Sequence, residues 1–316
     1  MKTKISLEFA DGGVKRKWET VKMTKSKIEW TDEVWNPTVG CRRVSEGCRN
    51  CYAERMAKRL AAMGREEYQG LLTEGGRWNG MVRTLEDRLN APSKWKKPRR
   101  VFVDSMSDLF HEDVPDDFIW RVFETIFRGN RRHTYIILTK RPERMQDWFQ
   151  KNQSRFWHYK TNLYPNPCIW LGVSVENQRT AEERIPYLLR TQAPVRIVSC
   201  EPLLGPVDLT NIQYRDEWHW DALRGYQWKD AHADWQAGTA KINWVIAGGE
   251  SGPGARPMHS DWVRSLRDQC VDAGVSFFFK QWGEYNEHGK RVGKQAAGRI
   301  LDGRIWDEYP QVAGMN

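Results

Sequence analysis

The chain has 316 residues, 50 Lys and Arg against 41 Asp and Glu, a formal charge of +9, six cysteines and 17 tryptophans. Six cysteines in this length are too sparse for a disulfide scaffold, no apolar run is long enough to span a bilayer, and no signal peptide opens the sequence, so a reducing cytoplasm is the expected compartment. The basic balance fits a polyanionic partner, nucleotide or nucleic acid, or an ordinary solvated basic surface.

In chain order, residues 1–25 carry no periodic signal and read as a basic, loosely ordered leader. A first strand is expected around Ile28 to Val34. It is followed by the run Asn36-Pro-Thr-Val-Gly-Cys-Arg-Arg-Val-Ser-Glu-Gly-Cys-Arg-Asn-Cys-Tyr-Ala-Glu54, which holds Cys41, Cys48 and Cys51. A helix over 51–63 comes next, then an aromatic and charged insertion over 64–99. The basic cluster Lys94-Trp-Lys-Lys-Pro-Arg-Arg100 precedes a strand at Val101–Val103, and Val114-Pro115 opens a helix over 116–128. The second basic cluster, Arg128-Gly-Asn-Arg-Arg-His133, leads into a strand at Tyr135–Leu138. Both clusters are candidate phosphate contacts or plain solvated loops.

Helices over 142–150 and 180–190 then alternate with strands at Ile169–Val173 and Val195–Val198. The insertion 207–242 contains Trp218, His219, Trp220, Tyr226, Trp228 and Trp235. Such a composition either stacks bases along a nucleic-acid strand or forms a tryptophan mini-core of its own. A strand at Trp244–Ala247, a helix over 260–273 capped by Ser260 and ended by Gly274, and a strand at Val275–Phe279 complete the alternation. Residues 284–316 form a C-terminal extension. Seven strands separated by helices predict an α/β chain whose residues 26–283 build one partial parallel barrel of the TIM type, interrupted by the two insertions.

Polar residues follow almost every predicted strand: Asp104, Ser105 and Asp108; Thr139 and Lys140; Ser174, Glu176 and Asn177; Glu201; Gly248, Gly249, Glu250 and Ser251; Lys280 and Gln281. The carboxyl ends of parallel barrel strands converge on one face, so these groups are expected to ring one cavity that the cysteine loop joins. The run Gly248-Gly-Glu-Ser-Gly-Pro-Gly254 lacks the spacing and lysine of a phosphate-binding P-loop, and serves as a turn or as a ligand contact. Cys168, Cys200 and Cys270 lie singly in apolar stretches, as buried small hydrophobes do. Three close thiolates can hold a soft metal centre and leave one position open, as a catalytic cluster requires; a structural zinc would need a distant fourth ligand such as a histidine.

The phrases Asn-Pro-x-x-Gly-Cys and Gly-Cys-x-x-Cys-Tyr-Ala resemble the cluster loop of radical S-adenosylmethionine enzymes near spore photoproduct lyase, with six residues between the first two cysteines where that pattern has three. Val103-Asp-Ser-Met-Ser-Asp-Leu-Phe-His111 and Leu138-Thr-Lys140 resemble strand ends of the same branch. Across roughly residues 26–310 the chain is also similar to a phage-encoded family named after gene products thirty-seven and sixty-eight. It shares with that family Ile28-Glu-Trp-Thr-Asp, Trp35-Asn-Pro, Ser107-Asp-Leu-Phe-His, Gly172-Val-Ser-Val-Glu-Asn, Glu201-Pro-Leu-Leu-Gly-Pro, Gly248-Gly-Glu-Ser-Gly-Pro-Gly-Ala-Arg-Pro-Met and Phe278-Phe-Lys-Gln-Trp-Gly.

The resemblance implies a barrel of the radical S-adenosylmethionine type, with Cys41, Cys48 and Cys51 on a [4Fe–4S] cluster and Tyr52 beside it. S-adenosylmethionine would occupy the fourth iron and be cleaved reductively to a 5′-deoxyadenosyl radical. Lys140 is then the candidate partner of its carboxylate or of a substrate phosphate. Ser105, Asp108, Thr139, Ser174, Glu176, Gly248, Gly249 and Glu250 are the further cofactor contacts. Cys200, Lys140 and Glu201 are the catalytic candidates, Cys200 as a hydrogen-atom donor. The expected substrate is a nucleotide or a nucleic-acid base, with an electron donor for the cluster and no membrane partner. The competing readings are a non-enzymatic nucleic-acid-binding protein with structural zinc or iron–sulfur, and a redox-sensing cluster.

Overall fold

The computed structural model describes residues 2–10, 13–21, 26, 28–129, 132–158, 165–214, 218–229 and 238–312. Seven strands form one sheet: β1 (Glu33–Trp35), β2 (Arg100–Val103), β3 (Thr134–Thr139), β4 (Ile169–Ser174), β5 (Val195–Cys200), β6 (Trp244–Gly248) and β7 (Ser276–Gln281). Every adjacent pair is parallel, and the order across the sheet is the order along the chain. Winding that never reverses keeps the crossovers on one side, so the sheet curls into a half-barrel.

The longer helices are α1 (Tyr52–Ala62), α2 (Asp116–Arg128), α3 (Pro142–Lys151), α4 (Gln178–Arg190) and α5 (Ser260–Ala273). Strand alternation divides the apolar residues into two layers. Tyr135, Ile137, Leu171 and Val173 point outward into a core shared with Phe118, Val122 and Phe123 of α2 and Ile185 and Leu188 of α4. Ile136, Trp170, Ile197, Trp244, Ile246 and Phe278 point inward. Burial on both faces explains why these strands read as continuous apolar runs.

The concave face is filled by two tethered side chains. Trp30 meets Trp244 edge-on at 6.3 Å between ring centroids, and Tyr309 lies 5.1 Å from Trp244 and 5.6 Å from Phe278. This role for Trp30 shortens the first expected strand: Ile28–Trp30 bring the plug into the barrel, and the strand begins only at Glu33. The C-terminal extension supplies the other plug.

Among the described residues, the crossover from β5 to β6 has no helix. The antiparallel strands Ile212–Tyr214, Trp218–Asp221 and Tyr226–Lys229 take its place and pack against α4. Trp220 is buried in the outer core and stacks on Tyr214 at 5.3 Å, and Trp228 stacks on His219 at 5.4 Å, so these rings serve packing; Trp235 lies outside the described residues. In the other insertion, Tyr68, Leu71 and Trp78 pack with Ala53 and Ala57 of α1 and with Cys41 and Cys51, roofing the cysteine loop.

The leader contains an antiparallel hairpin, Lys2–Ala10 with Gly13–Val21, where no secondary structure was expected. The cap of α5 is His259, whose Nδ1 accepts from Asp261 N at 3.3 Å, while Gly274 ends that helix at φ 63° as expected. The two basic clusters precede β2 and β3 and therefore lie at the amino-terminal rim; Asn130 and Arg131 are outside the described residues.

Candidate functional site

At the carboxyl ends of the strands lies a cavity of about 370 Å³, within the range of small-molecule sites. Cys41, Cys48, Cys51, Tyr52, Ser105, Asp108, Thr139, Lys140, Ser174, Glu201, Gly249 and Glu250 all line it. Convergence of strand ends from a single winding direction is what brings these distant residues together. Glu176 lies just beneath the wall with its side chain 1% exposed. Cys200 is fully buried in the outer core, where burial holds its thiol well above the ordinary value, so it does not face the cavity and has no path to a reacting atom there.

The cysteine loop is pinned from four directions. Arg141 Nη1 lies 3.9 Å from Cys41 Sγ and 3.1 Å from Asp108 Oδ2, while its Nε donates to Glu112 Oε2 at 2.7 Å. Lys140 Nζ lies 3.7 Å from Cys48 Sγ and 2.8 Å from Glu176 Oε1. Ser45 Oγ donates to that same carboxylate oxygen at 2.7 Å. Asn50 Nδ2 donates to Glu250 Oε2 at 2.8 Å, and Arg256 Nη2 bonds both Glu250 Oε1, at 2.7 Å, and the Glu46 carbonyl, at 3.0 Å. The three-thiol loop is thus tied by hydrogen bonds to residues that follow β3, β4 and β6.

These bonds reassign several residues expected to touch a cofactor. Asp108 Oδ1 accepts from Thr139 Oγ1 and Phe110 N, and Oδ2 accepts from Lys140 N and Arg141, which fills the carboxylate. Glu176 is shared by Lys140, Ser45 and Arg184, and Glu250 by Asn50 and Arg256. All three carboxylates are spent on positioning the loop. Lys140 contacts Glu176 and Cys48 while lining the cavity. The wall away from the loop keeps Ser174, the Glu201–Lys280 pair at 3.1 Å, and Gln281, whose buried Oε1 has no partner.

The glycine-rich turn is a packing device. A Cβ on Gly249 would come within 1.9 Å of the Trp282 carbonyl oxygen, beside the register shift at Ala247/Gly248 that ends the β6–β7 ladder. Gly47 is needed for a similar reason, since its Cβ would lie 2.4 Å from Glu176 Oε1 and would push the loop off its anchor. Gly249→Ala is expected to cost about 1–3 kcal/mol of stability, visible as a lower denaturation midpoint; an unchanged midpoint would show that the β6–β7 ends separate freely.

Electrostatics make the three thiols unequal. Burial works against the Cys48 thiolate, but the Lys140 ammonium and hydrogen bonds from Val44, Ser45 and the Ser45 hydroxyl outweigh it and hold the thiol below its ordinary value. Burial, helped by Asp108, pushes Cys41 up to about 12, and burial also raises Cys51. All six cysteines are free thiols.

Arg141, Asn50, Arg256 and Arg184 were not singled out from sequence. Arg141 directly follows Lys140 at a strand end, a signal that was present; Asn50 and Arg256 acquire meaning only when the cysteine loop and the β6 turn meet in space. Among the described residues no group of three or more histidine, cysteine or carboxylate side chains is arranged to hold a metal ion, and no histidine lines the cavity. Also among them, no helix is long and apolar enough to cross a membrane.

Fold and site together define an α/β half-barrel protein with a pinned three-thiol loop at its carboxyl-terminal mouth. The chain belongs to a family described as protein of unknown function (DUF5131), whose model matches residues 25–310. That match corrects the membership read from the motifs: the family found is neither the phage gene-product thirty-seven and sixty-eight family nor the radical S-adenosylmethionine enzymes near spore photoproduct lyase. Searches of curated proteins and of solved structures found no match.

Proposed function

We propose that the chain is an enzyme of radical S-adenosylmethionine chemistry acting on a nucleotide or nucleic-acid base, with Cys41, Cys48 and Cys51 as ligands of a [4Fe–4S] cluster. The observation that carries this reading is the convergence of three free thiols, all on one short loop, on a single cavity at the strand ends. The donor type suits the group, and because the three thiols do not already surround a metal position among the described residues, loading would have to draw them together. Three soft thiolates leave one cluster position open, and Lys140 and Arg141 beside Cys48 and Cys41 offset the negative charge of the bound assembly. A structural zinc ion would call for a fourth side chain, and no histidine among the described residues lines the cavity.

Cys41, Cys48 and Cys51 would hold the cluster, which would supply one-electron reductive cleavage of S-adenosylmethionine to methionine and a radical able to take a hydrogen atom from the substrate. The chain's own residues position and shield. Trp30, Phe102 and Leu138 give the cavity an apolar wall that limits water, while Ser174, Lys280, Glu201 and Gln281 are the polar groups able to orient a ligand. Cys48 is the thiol readiest to lose its proton; Cys41 and Cys51 must be deprotonated by metal binding itself. The reading also calls for an electron donor and for the reducing cytoplasm that six unbridged thiols suit.

Protein purified without oxygen is expected to be brown, to absorb at about 400 nm and to bleach with dithionite. Incubated reduced with S-adenosylmethionine, it should release 5′-deoxyadenosine. Colourless protein carrying stoichiometric zinc would refute the reading, and a coloured protein that yields no 5′-deoxyadenosine would leave only a redox-sensing cluster.

A further inference from the structure

One cluster of the chain's positive charge lies beside the cavity mouth, while the runs 94–100 and 128–133 carry others at the opposite rim. Residues 41–65 contain seven Lys and Arg and two Glu, more than half of the formal charge of +9 in under a tenth of the length. Elsewhere arginines are mostly neutralised: Arg88 by Glu67, Arg121 by Glu86, Arg184 by Glu176, Arg264 and Arg267 by Asp302. Within this segment Arg42 pairs with Glu112 and Arg43 with Glu54, but Arg49, Lys58 and Arg59 are exposed and have no acidic partner among the described residues.

The same segment exposes apolar groups in a helical stripe. Tyr52, Met56, Arg59 and the C-cap Met63 fall at i, i+4, i+7 and i+11 on one face of α1, which begins at the cavity, where the Tyr52 hydroxyl donates to the Ser105 carbonyl; Tyr52, Met56 and Met63 are 45, 40 and 66% exposed. Val44, 45% exposed on the cysteine loop, continues the stripe at the cavity, which Val44 and Tyr52 both line. Eleven helical residues extend roughly 16 Å, enough to follow a few nucleotides away from the mouth.

We infer that this face of α1 and the cysteine loop is the docking surface for a single nucleic-acid strand, which presents one of its bases to the cavity. Arg49, Lys58 and Arg59 take the phosphates, and the ring of Tyr52 and the Met56 and Met63 side chains take the bases flanking the one in the cavity. Alternating cations and flat or polarisable apolar groups bind a strand by charge and stacking without reading sequence. An acidic protein would satisfy the charge but would leave the Tyr52–Met63 stripe without flat partners. The inference rests on the proposed function and narrows its substrate from a free nucleotide to a polynucleotide.

The test is fluorescence anisotropy with a labelled oligodeoxynucleotide and an oligoribonucleotide of the same sequence, across a salt series, on the full chain. The variant Arg49→Glu/Lys58→Glu/Arg59→Glu should weaken binding at least about tenfold and lower the slope of log affinity against log salt by about two, since each phosphate contact to a single strand contributes about 0.7. Lys96→Glu/Lys97→Glu, on the opposite rim, should change neither. Retention of the absorbance at about 400 nm in both variants confirms that the folded protein is being compared. Equal binding by the first variant, loss caused instead by the second, or equally tight capture of polyglutamate would overturn the inference. A chain that binds no cluster yet loses strand affinity through Arg49, Lys58 and Arg59 would sink the proposed chemistry and leave the docking surface standing.

Discussion

Replacing Cys48 by alanine is expected to abolish iron binding, the brown colour and 5′-deoxyadenosine release together. Cys48 is the thiol that Lys140 and the surrounding hydrogen bonds hold below its ordinary value, whereas burial holds Cys41 and Cys51 above theirs. The thiolate is the metal-binding form, so on the proposed reading loading would begin at Cys48. Without it, two reluctant thiols face a cavity whose remaining polar groups are not soft donors. The fold should persist, because the alanine occupies a half-buried loop position. Cys200→Ala is the control: it removes a sulfur packed in the outer core, and so should lower stability modestly while leaving colour and product intact. Colour and product retained by Cys48→Ala, or lost with Cys200→Ala at unchanged stability, would contradict the ligand assignment.

The distribution of the sequence signals explains what could be read in advance. All seven sheet strands occur near their expected positions, because strands covered on both faces show up as short, almost unbroken apolar runs such as Tyr135–Leu138. The exception proves informative. The stretch beginning at Ile28 carries Ile28 and Trp30 for another reason, as the approach to the plug and the plug itself, and hydrophobic pattern alone does not separate a strand from a plug. At the site, strand-end position located most of the cavity lining but misjudged roles. Whether Asp108, Glu176 or Glu250 faces a ligand or an arginine depends on Arg141, Arg184 and Arg256, and those contacts join residues 6 to 33 positions apart. Gly249 lines the cavity as expected, and its backbone is also pressed against Trp282.

Glu176→Gln is expected to give the largest loss of stability among single changes that leave the cysteines in place. The carboxylate is buried between Lys140 at 2.8 Å and Arg184 at 3.0 Å, with Ser45 at 2.7 Å, and Arg184 is itself only 6% exposed. The amide keeps the shape but strands two buried cations, a change that costs about 3–5 kcal/mol. Burial penalises the Glu176 charge, but Lys140 and Arg184 overcome this and hold its carboxyl below the ordinary 4.5. A depressed carboxyl contributes stability that is fully present above 4.5 and is lost as pH falls through its lower folded value. The gap in denaturation midpoint between wild type and Glu176→Gln should therefore be widest near neutrality and close in acid. Because Ser45 and Lys140 connect this carboxylate to Cys48, the variant should also surrender iron to a chelator faster than wild type does. A gap that stays constant into acid would mean that the Glu176 charge contributes nothing, and unchanged iron release would mean that the loop is held by Arg141, Asn50 and Arg256 alone.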